Sequence, residues 1–140
     1  MKGGKKIVAT IEARMTSSRL PGKVLLPLNG EPVLVRLVER LRRSAYVDEV
    51  VIATTTNAQD DAIVAMGSEI GCKVWRGSEE DVLGRVLQAA KSVNADLIVE
   101  ITGDCPLIDW RHVDRLIELY QEGAYEYVSN CLERTFPRGF

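Results

Sequence analysis

Residues 13–23, Ala13-Arg14-Met15-Thr16-Ser17-Ser18-Arg19-Leu20-Pro21-Gly22-Lys23, gather three cations and three hydroxyls directly after the apolar run Ile7–Ile11. A loop of this kind at the end of a strand can turn backbone N–H groups and side chains together onto phosphate oxygens. Arg14 and Arg19 can make forked bonds to phosphate, while Lys23 acts as a mobile point charge; a surface role for Arg19 stays open. The loop is not a Walker A motif, because Val24 follows Gly22-Lys23 and the leading glycine is missing, and G-x-G-x-x-G is absent as well. A second candidate is Asp104 in Ile101-Thr102-Gly103-Asp104-Cys105-Pro106. A carboxylate just past a strand can hold Mg²⁺ against phosphates, and it can equally form a turn. Asp81 and Arg85 are one helical turn apart, which suits either a plain ion pair or a binding site. Thr54 and Thr55 end a strand and could border a ligand or cap a turn. Cys105 has no evident basic partner, since the only histidine, His112, falls in the first turn of the next helix, so it is read as a small buried filler. Trp75 and Trp110 read as packing residues, Trp110 standing at a helix start where a pocket could border it.

These loops need a scaffold, and hydrophobic periodicity supplies one. Ile7–Ile11, Glu49–Thr54, Lys73–Trp75 and Leu97–Ile101 read as strands, with Tyr127-Val128-Ser129 as a fifth. Helical spacing follows from Pro32 through Leu41, from Ala58 to Glu69 behind an Asn57 cap and stopped by Gly71, from the Ser78–Asp81 capping box through Ala90, and from an Asp109 cap through Tyr120. Strands alternating with helices imply right-handed crossovers, an α/β fold and a mostly parallel sheet covered on both faces. The loops after Ile11, Thr54, Trp75 and Ile101 then share the carboxyl edge of the sheet, where ligands bind in such folds.

The chain has 140 residues, 46% hydrophobic and 27% charged, which suits one ordered domain, residues 1–140, able to bury a core without staples. Three cysteines without C-x-x-C spacing read as reduced thiols of a cytoplasmic protein. The basic start Met1–Lys6 precedes an apolar run too short for a signal peptide, and no stretch approaches a membrane span. The net charge of −2 is unevenly spread: residues 1–43 hold ten Lys/Arg against three Asp/Glu. That asymmetry suggests a local anionic ligand and no nucleic acid, with Arg36, Arg40, Arg42 and Arg43 as a solvated helix face.

The stretch Ala13-Arg14-x-x-Ser17-Ser18-Arg19-Leu20-Pro21-Gly22-Lys23 resembles the signature loop of the cytidylyltransferases that activate acidic sugars, the acylneuraminate and 3-deoxy-manno-octulosonate enzymes. It resembles the spore coat polysaccharide biosynthesis protein F group more closely still. Ala53-Thr54-Thr55, Gly77-Ser78-Glu79-Glu80-Asp81-Val82-Leu83-x-Arg85, Ile101 to Asp109 and Thr135-Phe136-Pro137-x-Gly139 follow in that group's order. The resemblance implies a three-layer α/β/α Rossmann-like nucleotidyltransferase fold. It also implies transfer of CMP from CTP to a sugar or acidic sugar, with release of pyrophosphate, in surface polysaccharide biosynthesis. By resemblance Arg14, Lys23 and Asp104 are catalytic, Asp104 holding Mg²⁺. Ala13, Arg14, Ser17, Ser18, Arg19, Lys23, Thr55, Arg76, Gly77, Asp81 and Arg85 line the nucleotide. Members of the family are longer, so the chain is expected to be truncated, holding the nucleotide half, with homodimerisation open. The alternatives are a nucleotide-sugar glycosyltransferase of the same fold, although Asp104 lacks an Asp-x-Asp context, and a nucleotide-binding module without turnover.

Overall fold

A computed structural model describes residues 4–140, so Met1–Gly3 of the basic start lie outside the described residues. Strand β1 (Ile7–Glu12) is followed by a long loop, a 3-10 turn (Lys23–Leu25) and a small hairpin of β2 (Pro27–Leu28) and β3 (Glu31–Pro32). Helix α1 (Val33–Leu41), β4 (Glu49–Thr55), α2 (Asp61–Glu69), β5 (Lys73–Gly77), α3 (Val82–Ser92), β6 (Leu97–Thr102) and α4 (Trp110–Glu122) complete the order. The main sheet is four-stranded in the order β5-β4-β1-β6, and every pairing in it is parallel. The fold is the expected mostly parallel sheet with flanking helices.

Alternation along the central strands shows both faces covered. Ile7, Ala9 and Ile11 of β1 and Val50 and Ile52 of β4 join α1, α2 and α4 residues such as Leu37, Ile63 and Ile117 in one cluster. Val8, Val51 and Ala53 point the other way and pack on Val86, Ala89 and Val93 of α3. Among the described residues three helices therefore share one face, and α3 alone covers the other. α3 lies over β5, β4 and β1, and on that side of β6 Ile98, Glu100 and Thr102 stay exposed.

Several expectations change. Residues 127–129 form no strand; Tyr127 is 78% exposed, and a three-residue stretch without a ladder partner has nothing to hold it extended. Asn57 does not cap α2 with its side chain; the chain there makes a 3-10 turn (Ala58–Asp60), and the Asn57 amide turns to Glu79 instead. Gly71 does stop α2, in the left-handed region at φ 61. The α1 arginines are more than a solvated face. Arg36 binds the Leu28 and Asn29 carbonyls, Arg40 the Ile108 carbonyl, and Arg42 those of Ile70 and Gly71. Arg40, Arg43 and Arg111 also crowd the Trp110 ring, with guanidinium carbons 5.1–5.7 Å from its centroid. Among the described residues no helix is long and apolar enough to cross a membrane.

Candidate active site

Parallel register sends the loops after β1, β4, β5 and β6 to one edge, and hydrogen bonds then fasten them to each other. The β1 loop closes on itself where the Gly22 and Ser17 amides donate to the Met15 carbonyl at 2.8 and 3.1 Å. Gly22 has φ 70, which a side chain would strain. The Met15 amide donates to Asp60 Oδ1 at 2.8 Å, tying this loop to the one after β4. Asp60 is fully buried and also accepts from the Thr55 amide at 3.2 Å and from the Thr55 hydroxyl. Arg76, at the end of β5, braces the same turn by donating to the Thr55 and Asn57 carbonyls at 2.8 and 2.7 Å and pairing with Asp61.

The β6 loop reaches the β1 loop through Gly103. Its amide donates to the Glu12 carbonyl at 2.8 Å, and a Cβ there would sit 2.7 Å from that oxygen and 3.0 Å from Ala13 Cβ. This close approach sets Asp104 beside Lys23, with Asp104 Oδ2 3.3 Å from Lys23 Nζ. Burial works to raise the Asp104 pKa, but hydrogen bonds from Thr102 and Lys23 and the Lys23 charge outweigh it, so the carboxyl titrates below its ordinary range. Arg14, earlier in the same loop, donates from Nη1 to Glu79 Oε1 at 3.0 Å. Glu12, at the end of β1, is pushed up by burial and by the Glu100 charge, against the pull of Arg85. The result is an edge of alternating charge, partly open to solvent, which suits a polyanion accompanied by a cation.

Among the described residues no group of three or more His, Cys, Asp or Glu forms a metal cluster. Asp104 therefore stands as a single ionised, half-exposed carboxylate. That donor set fits Mg²⁺, which takes one or two carboxylates and draws its remaining ligands from water and substrate phosphates. A cavity lined by Lys5, Tyr46, Leu97, Tyr120 and Tyr125 opens elsewhere, at the ends where β1 and β6 begin, and none of the four loops lines it.

The cytidylyltransferase family model matches residues 8–138 of the chain. The chain belongs to the cytidylyltransferase family. It is 41% identical over 131 residues to the spore coat polysaccharide biosynthesis protein SpsF of Bacillus subtilis, covering 89% of this chain and 55% of that protein. A cytidylyltransferase structure from Leptospira borgpetersenii superposes with a TM-score of 0.89 at 43% identity, over 96% of this chain and 58% of that one. A CMP:2-keto-3-deoxy-manno-octonic acid synthetase complexed with CTP superposes with a TM-score of 0.70 at 34% identity, over 84% and 48%. The chain spans about half the length of the curated relatives it matches.

In this cytidylyltransferase-family chain the residues singled out in the sequence separate into two sets. Arg14, Ser18, Arg19, Lys23 and Asp104 present side chains at the loop edge, and Arg19 has no hydrogen bond among the described residues. Ser17 turns its hydroxyl to the Leu20 amide. The second set builds the edge from beneath. Ala13 is buried, with its amide on the Ala53 carbonyl. Thr55 is fully buried and spends its hydroxyl on Asp60, so the turn-capping reading is the one the geometry shows. Gly77 leaves room for Arg85, whose Cγ would lie 3.2 Å from a Cβ there. Asp81 and Arg85 form no ion pair. Asp81 caps α3 by accepting from the Gly84 amide at 2.9 Å, while Arg85 is 4% exposed and donates to the Ser78 carbonyl at 2.7 Å. Cys105 is half-buried rather than a core filler. Burial raises its thiol pKa, Thr102 Oγ1 lies 3.2 Å from it, and His112 is stacked on Phe136 instead of beside it. Asp109 caps α4 as expected. Sequence reasoning misses Asp60 and Glu79 as residues that join loops, Glu79 standing within the Ser78–Asp81 run that reads as a capping box.

Proposed function

We propose that the chain binds Mg·CTP at this loop edge and serves transfer of CMP to a sugar or acidic sugar, in the assembly of surface polysaccharide. The Lys23–Asp104 pair at 3.3 Å carries the reading, because it sets a phosphate-binding cation and a metal-binding carboxylate on facing loops. Each charge is satisfied by the other until a triphosphate and its metal offer both a better partner. Arg14 and Lys23 neutralise the triphosphate and hold it for in-line approach of an acceptor oxygen to the α-phosphorus. That oxygen–phosphorus bond forms as the bond to the bridging oxygen of pyrophosphate breaks, and the hydroxyl proton passes to water. Bound at Asp104, Mg²⁺ would supply charge neutralisation of the phosphate oxygens. The CTP-bound relative and the acidic-sugar enzymes among its relatives support cytidine as the base and a sugar as the acceptor.

Thermal stabilisation by Mg·CTP, Mg·UTP and Mg·ATP tests the base. CTP is expected to give the largest shift, and equal shifts for all three would remove the case for cytidine. Asp104→Asn is expected to abolish the Mg²⁺ dependence of binding while the metal-free nucleotide still binds weakly; unchanged dependence would exclude this carboxylate as the ligand. Pyrophosphate release from CTP plus candidate acidic sugars tests transfer itself.

A further inference from the structure

Glu79 joins three of the four loops through one carboxylate. Its Oε1 accepts from Arg14 Nη1 and from the Thr16 hydroxyl, each at 3.0 Å, and its Oε2 accepts from Asn57 Nδ2 at 2.6 Å. The backbone behind it is held as well, because the buried Arg85 donates to the adjacent Ser78 carbonyl. Hydrogen bonds from Asn57 and then Thr16, with the Arg14 charge, hold the Glu79 carboxyl below its ordinary range. Arg14 has no other hydrogen bond among the described residues, so its Nε and Nη2 donors are left for a ligand. The pair is too exposed to matter much for folding, with side-chain exposures of 48% and 38%.

We infer that Glu79 is a positioning residue for nucleotide binding: it clamps one amino group of Arg14, and the free edge of the guanidinium is thereby fixed toward the phosphates. An arginine on a loop otherwise loses side-chain freedom when it meets its ligand, and a pre-set rotamer removes that cost from binding. The carboxylate is kept off the ligand by its own three donors, so it orients the cation without competing for the phosphate. This rests on the nucleotide reading of the loop edge given above, but the anchor concerns only the phosphate-facing cation and applies to any polyphosphate.

The test is a double-mutant cycle on the full chain, read as affinity for Mg·CTP and separately for inorganic tripolyphosphate. Glu79→Ala is expected to weaken both by about tenfold, the cost of an unanchored side chain. In an Arg14→Ala background the same change is expected to cost under about twofold, because the residue works through Arg14. Glu79→Gln, which keeps an acceptor for Arg14 and Thr16, is expected to recover affinity to within about threefold of wild type. Equal or tighter binding by Glu79→Ala would show a carboxylate that competes with phosphate and would overturn the inference. So would independent losses in the double variant, which mean that Glu79 meets the ligand itself. Wild-type protein that binds tripolyphosphate but not CTP would sink the cytidine reading and leave the anchor standing or falling on the cycle; binding of neither probe would remove both.

Discussion

At the scale of single residues, the edge separates side chains that face solvent from those that hold the loops in place, and Thr55 is the sharpest case. It ends β4 where a base-contacting hydroxyl is plausible, yet it is fully buried and bonded to Asp60. Asp60 in turn carries the Met15 amide, so one buried carboxylate links the ends of β1 and β4. Thr55→Val keeps the shape of the side chain and deletes the hydroxyl, leaving a buried carboxylate with only backbone donors and the Asn57 amide without its acceptor. The expected outcome is a loss of about 1–3 kcal/mol in urea denaturation at neutral pH. A threonine that served the nucleotide alone would leave the denaturation midpoint where it is and weaken CTP binding instead.

At the scale of elements, the apposition of the β1 and β6 loops depends on Gly103. A Cβ there would press on the Glu12 carbonyl at 2.7 Å and Ala13 Cβ at 3.0 Å, groups held by the sheet that cannot rotate aside. Gly103→Ala is expected to cost about 1–3 kcal/mol through overpacking, and to shift Asp104 away from Lys23. Titration of CTP with and without Mg²⁺ checks the second effect: the metal-dependent gain should shrink, and a lower melting temperature with an intact gain would separate Gly103 from the metal carboxylate. The same element shows what local sequence could and could not disclose. The four strands of the main sheet, the Asp109 cap and the Gly71 stop depend on neighbours within a turn, so periodicity and cap chemistry mark them; the Ser78–Asp81 capping box instead gives way to Asp81 itself as the cap of α3, with Ser78 accepting from the Asp81 amide. The β2–β3 hairpin is too short for hydrophobic periodicity to mark, although Asn29-Gly30, both at positive φ, is the turn that joins its strands. Asp60 and Glu79 were illegible for a different reason: their partners lie 45 and 63–65 positions away, a distance only the sheet register closes. The Asp81–Arg85 spacing allowed an ion pair, but the helix N-terminus claimed the acid and the β5 loop carbonyl claimed the buried base.

Across the whole molecule, a further set of charges that holds the fold lies at the end of the strands opposite the loop cleft. Where the strands begin, Glu49 at the start of β4 pairs with Lys6 before β1 at 2.7 Å and with Lys73 at the start of β5 at 3.1 Å, while Lys6 also donates to the Val93 carbonyl at 2.6 Å. The Lys6 hydrogen bond and then that of Lys73 hold the Glu49 carboxyl below 4.5, the value it has when free. A folded-state pKa below the unfolded one means that the unfolded chain binds the proton more readily. The stabilisation is therefore complete above about pH 4.5 and is lost as the pH falls through the lower folded value. Glu49→Gln removes that increment at every pH, so the variant should be less stable than wild type by about 1 kcal/mol at pH 7, with the gap closing as the pH falls below 4.5 and through the lower folded value. Because Glu49 is far from Asp104 and Lys23 along the strands, affinity for Mg·CTP at pH 7 should not change. Thermal melts of both proteins across that range decide the matter: a gap that stays constant down to pH 3 would mean that the Gln side chain costs packing rather than charge, and that Glu49 is not what ties the starts of β1, β4 and β5 together.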